Sequence, residues 1–117
     1  MEYIYRHITP EIEKCAEYFQ VIVVTGPRQV GKTTLCKHIF ADYKQFNLED
    51  LALRMAVESD PKKFLDNCGT HVVIDEVQHV PELLSYIQIM VDENPDLKYI
   101  LTGSSDFALL ESITQSL

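Results

Sequence analysis

Positive charge is scarce in this sequence: ten lysines and arginines stand against eighteen aspartates and glutamates, for a formal net charge of −8. A chain that coats DNA or lies on an anionic membrane is expected to carry basic clusters. Here Lys62-Lys63 is the sole adjacent basic pair, and it reads as a solvated helix face. Tryptophan is absent, and the tyrosines and phenylalanines are scattered at core-like positions, so no base-stacking platform is written into the chain. No apolar run approaches the ~20 residues a membrane span needs. The start, Met1-Glu2-Tyr3-Ile4-Tyr5-Arg6-His7, lacks the basic-then-apolar order of a signal peptide.

Cysteine is sparse too. Cys15, Cys36 and Cys68 are odd in number, widely spaced and outside any CxxC arrangement. They read as small buried or half-buried side chains in a reducing compartment, with the cytoplasm as the default. His71 and His79 flank Asp75, but an extended strand throws such side chains in differing directions and the ligand spacing of a zinc site is missing. Repeats and low-complexity stretches are also missing. The 117 residues supply one domain with a single modest core, and a 46% hydrophobic fraction excludes a disordered chain.

What is present is concentrated in one loop. Gly26-Pro27-Arg28-Gln29-Val30-Gly31-Lys32-Thr33 fits the pattern GxxxxGK[ST]. Four apolar β-formers, Val21 to Val24, lead in, and a helical segment from Thr33 to Phe40 leads out. That strand–loop–helix setting is what a phosphate-binding loop requires. Gly26 and Gly31 allow backbone conformations that a Cβ forbids, so that successive N–H groups can face a triphosphate. The following helix adds unpaired amides and the positive end of its dipole. Lys32 is expected at the β- and γ-phosphates, and the Thr33 hydroxyl on Mg²⁺. Thr34 is expected to cap amides or touch the α-phosphate. Arg28 reads either as a phosphate contact or as a solvated or ion-paired loop charge.

Strands and helices alternate along the chain, which predicts a parallel sheet with helices packed on both faces. Thr9-Pro10 starts a helix over 10–19. Gln45 to Leu48 is a short strand, Leu51 to Val57 is helical, and Asp60-Pro61 caps a helix through Leu65. His71 to Asp75 is a strand, Pro81 opens a helix carrying Leu84, Ile87 and Val91, and Leu97 to Thr102 is another strand. Val72-Val73-Ile74-Asp75-Glu76 is an apolar strand ending in two acids. Asp75 is expected to hold Mg²⁺ through its water shell, and Glu76 to polarise the attacking water. At the end of the later strand, Ser104 is the first choice for a residue that senses the γ-phosphate, with Thr102 and Ser105 as alternatives. The same stretch also reads as a Ser/Gly-rich turn in which Ser105 or Asp106 caps a helix.

Taken together, Gly26 to Leu35, Asn47-Leu48-Glu49-Asp50, the Asp60-Pro61…Phe64-Leu65 segment, Ile74 to Gln78 with Pro81 to Leu84, and Ile100 to Ser105 resemble one lineage. It is that of the prokaryotic AAA-type P-loop ATPases, which usually carry an uncharacterised C-terminal domain. The resemblance implies ATP as the nucleotide and a core of the ASCE kind, with the strand at 97–102 inserted between the loop strand and the acidic strand. It gives Lys32, Thr33, Asp75 and Glu76 the roles derived above. It implies a single partial ATPase domain over 1–117, with 1–20 as a helical lead-in and 21–117 as the nucleotide-binding core, truncated before the last core strand. Relatives continue into an arginine-bearing segment that has no counterpart here. Neither Arg28 nor Arg54 stands at the matching position, so binding is expected to outlast fast turnover.

Two other readings follow from the same loop. One is a small-molecule kinase that passes the γ-phosphate to an acceptor, against which the adjacent acids Asp75 and Glu76 favour water activation. The other is a nucleotide-dependent interaction module without turnover. The open edge at Val21–Val24 is expected to make the chain self-associate, be poorly soluble or borrow Tyr3-Ile4-Tyr5 as cover, and self-association or a larger chain or partner subunit is expected beside the nucleotide.

Overall fold

The computed structural model describes residues 3–5, 19–25 and 40–103. Their elements are β1 (Tyr3–Tyr5), β2 (Val21–Thr25), β3 (Lys44–Asn47), α1 (Leu51–Ser59), α2 (Pro61–Asn67), β4 (His71–Asp75), α3 (Leu83–Glu93) and β5 (Lys98–Gly103), with a 3₁₀ turn at Val77–His79. The strands form one sheet in the order β1-β2-β5-β4-β3, and every pairing is parallel. β5 lies between β2 and β4, as the resemblance implies. The edge of β2 is covered: Tyr3, Ile4 and Tyr5 pair with Val21, Ile22 and Val23. The expected helices over 10–19 and 33–40 fall outside the described residues, apart from Phe19 and Phe40.

Parallel strands buried on both faces need continuous apolar sequence, and these strands have it. Val21, Val23, Val72, Ile74, Tyr99 and Leu101 alternate onto one face. There they meet Val57 of α1, Leu65 of α2 and Leu83, Leu84, Ile87 and Val91 of α3. On the opposite face Ile22, Val73 and Ile100 are equally buried. Each such side chain contributes roughly 1.5–3 kcal/mol by leaving water.

The helices start where the capping chemistry places them. The Asp50 carboxylate accepts the Ala52 and Leu53 amides at 3.0 and 3.3 Å, and Asp60 accepts the Lys63 amide at 3.1 Å with Pro61 in the first turn. Pro81 does not itself open α3. The Leu83 and Leu84 amides donate to Val80 and Pro81, each at 3.1 Å, so a tight turn precedes the helix. Gly69 joins α2 to β4 at φ +96°, a conformation that a side chain would strain.

The amino ends of the strands are tied together. Gln20 donates through Nε2 to the carbonyls of Asn94 and Leu97, while its own carbonyl accepts the Tyr99 amide at 2.8 Å. The Lys98 amide donates to Thr70 at 2.7 Å, and its Nζ reaches the Phe19 carbonyl. With one end fixed this way, the chemistry-bearing residues fall at the other.

Candidate functional site

β4 and β5 run side by side with Ile74 opposite Leu101, which brings Asp75 and Thr102 together at their carboxyl ends on one face. Both residues are fully buried. The Thr102 hydroxyl donates to Asp75 Oδ1 at 3.0 Å and accepts the Glu76 amide at 3.1 Å. One side chain thus ties the strand's last acid to the backbone of the next residue.

Glu76 breaks the strand. It has φ 59° and ψ 47°, the sole non-glycine residue at positive φ among the described residues. That left-handed conformation costs about 1–2 kcal/mol for a residue with a Cβ, and several contacts sustain it. The His79 amide returns to the Glu76 carbonyl at 3.2 Å, and Val77 and Val80 sink fully into the core on either side of the turn. The Glu76 carboxylate accepts from Gln78 Nε2 at 3.3 Å, and the residue is 5% exposed. The paired acids therefore leave the strand in different ways, Asp75 toward β5 and Glu76 toward the turn.

The loop after β3 closes the neighbouring side. The Leu48 amide donates to the Asp75 carbonyl at 3.0 Å, and Leu48 is fully buried. Asn47 Oδ1 accepts the Glu49 amide, Glu49 Oε1 lies 3.5 Å from His79 Nε2, and Asp50 caps α1. Arg54 is turned onto this loop, donating through Nε to the Leu48 carbonyl at 2.9 Å.

Of the residues expected from sequence, the structure unites Asp75, Glu76 and Thr102. Gly26, Pro27, Arg28, Gln29, Val30, Gly31, Lys32, Thr33, Thr34 and Ser104 lie outside the described residues. β2 ends at Thr25 in register with Gly103, so the chain passes into Gly26 at this same carboxyl edge. Gln78 and the Glu49–His79 pair were given no role by sequence reasoning. Their signal was position: Gln78 stands two residues past Glu76, and Glu49 two past the strand next to β4.

Elsewhere, a groove of about 520 Å³ between β3, α1 and α2 is lined by Phe46, Leu53, Phe64 and Cys68 among others, and holds none of these acids. Burial pushes the Cys68 thiol above its ordinary pKa, and Sγ donates to the Leu65 carbonyl at 3.3 Å, so it stays a neutral thiol. Among the described residues no helix is long and apolar enough to cross a membrane.

In open parallel sheets of this kind ligands lie at the carboxyl edge, where the acid pair stands. A family model described as an AAA domain matches residues 18–117. The chain belongs to the AAA domain family. Two uncharacterized proteins, from Mycobacterium bovis and Mycobacterium tuberculosis, are each 31% identical to it over 102 residues. Each alignment covers 83% of this chain but 22% of the relative, so the chain spans about a fifth of the length of these relatives. No solved structure matches. Membership carries the coarse function, that of a nucleotide-binding domain of the ATPase type.

Proposed function

We propose that this AAA domain binds Mg·ATP at the carboxyl edge of its sheet and hydrolyses it slowly. The observation that carries the reading is the buried Asp75–Thr102–Glu76 cluster, beside the point where β2 runs into the GxxxxGK[ST] sequence. The Gly26–Thr34 backbone cradles the phosphates, Lys32 supplies charge at the β- and γ-phosphates, and the Thr33 hydroxyl and Asp75 hold Mg²⁺. The donor set fits that ion. Mg²⁺ takes oxygen ligands, keeps several waters and shares itself with phosphates. When bound, the ion neutralises charge on the phosphates.

In the hydrolytic step, water oxygen bonds to the γ-phosphorus as the bond to the β–γ bridging oxygen breaks. The Glu76 carboxylate takes the water proton, and ADP and phosphate leave. Slow turnover is expected because neither Arg28 nor Arg54 stands at the position of the family's arginine, and Arg54 is bonded to the loop after β3. A larger chain or a partner subunit would supply a cation for the transition state, an effect that can reach 10³–10⁵ in rate. The buried free thiol of Cys68 suits a reducing compartment such as the cytoplasm.

Phosphate release by Glu76→Gln tests the division of labour. Nucleotide binding should persist while hydrolysis falls by on the order of 10²-fold or more. A variant as fast as the parent would mean that Glu76 is not the base.

A further inference from the structure

We infer that Thr102 is the positioning residue of the paired acids, and that it is not the sensor of the γ-phosphate. The first half deepens the hydrolytic reading above and rests on it for its catalytic consequence. The second follows from counting protons on one oxygen.

Apart from Asp75, the buried residues described on the face of Thr102 are apolar: Ile22, Val73 and Ile100 are all buried with it. A buried hydroxyl is costly unless it is paired, so a threonine here calls for partners. It has two. The Glu76 amide can only donate, so Oγ1 must accept from it at 3.1 Å. The hydroxyl's single proton is then directed to Asp75 Oδ1 at 3.0 Å. Phosphate oxygens only accept. A sensor must offer them a proton, and Thr102 has none left.

The same two bonds explain how adjacent acids on one strand are held for different tasks. Asp75 is oriented through its carboxylate, while Glu76 is oriented through its backbone, at the residue where the chain turns left-handed. Thr102 therefore sets where the Glu76 carboxylate starts from, without touching substrate. Of the three sensor candidates, Ser104 and Ser105 lie outside the described residues, and the proton count removes Thr102 alone.

Thr102→Val and Thr102→Ser test the inference. Valine keeps the shape and removes the hydroxyl; serine restores the hydroxyl alone. In nucleotide-free protein, the Glu76 amide should exchange about tenfold faster or more in Thr102→Val, with Val72–Ile74 amides unchanged, and should be protected again in Thr102→Ser. With Mg·ATP, Thr102→Val should lose on the order of 10²-fold in single-turnover rate while affinity changes about threefold or less, and Thr102→Ser should recover most of the rate. If Thr102→Val does not fold, the Thr102 hydroxyl proton of the parent decides by nuclear magnetic resonance. Slow exchange with a close contact to the Glu76 amide proton is expected. Unchanged Glu76 exchange in Thr102→Val, a freely exchanging hydroxyl, or equal loss of affinity and rate would overturn the positioning role. A parent that binds no Mg·ATP would instead defeat the proposed function, while the exchange result still judges Thr102.

Discussion

At Glu76 the backbone takes a conformation most residues avoid, and its neighbours hold it there. Gly69 shows the converse, a strained position filled by the residue that feels no strain. A Cβ built at Gly69 would sit 3.7 Å from the nearest Lys44 carbon, an ordinary contact, so the requirement is conformational rather than spatial. Gly69→Ala should therefore destabilise by about 1 kcal/mol in urea unfolding, with nucleotide affinity unaltered. Tyr99 makes a second residue-scale test. Burial pushes its phenol well above the ordinary value of 10.0, with the Cys68 thiol adding to the shift. The folded chain thus keeps the phenol neutral at a pH where the unfolded chain ionises it. Stability is fully present below about pH 10 and is lost as pH rises beyond it. Tyr99→Phe should flatten that alkaline loss in melting experiments. The acids at 75 and 76 were legible in sequence, because an apolar run ending in Asp-Glu is a local pattern. Thr102 as their common partner was not, since its role depends on the register of two strands 26 residues apart, and a one-residue slip would point it to the other face.

Elements were more legible than their ends. His71–Asp75 stands as the sequence predicts, because its apolar run is bounded sharply. β3 runs from Lys44 to Asn47, one residue earlier than expected at each end, and Leu48 falls in the turn, its amide bonded to the Asp75 carbonyl. The helix expected from Pro81 waits until Leu83, since Val80 and Pro81 accept turn bonds first. The Asn47–Asp50 segment shows why a short motif can matter to a whole element. Within four residues it turns the chain, buries a leucine under the acidic strand, meets His79 and caps α1. Asp50→Ala should remove the cap and cost about 1 kcal/mol. Exchange of the α1 amides should rise more than that of α2, whose own cap, Asp60, remains.

For the molecule as a whole, alternation of strands and helices predicts a parallel sheet, and the inserted place of β5 came from the resemblance. The position of β1 rests on neither; it follows from an apolar, β-forming Tyr3-Ile4-Tyr5 meeting an edge that needed pairing. Removing residues 1–5 should uncover β2, giving concentration-dependent association in sedimentation and faster exchange at 21–24. A variant that stays monomeric with those amides protected would contradict the role given to β1. The central claim, that the carboxyl edge beyond β2 holds a nucleotide, is tested most directly by calorimetry of Mg·ATP binding to the parent and to folded Lys32→Ala. Saturable one-to-one binding by the parent, weakened by on the order of tenfold or more when the charge facing the phosphates is removed, is expected. Equal affinity in the two folded proteins would place the nucleotide elsewhere and contradict the account.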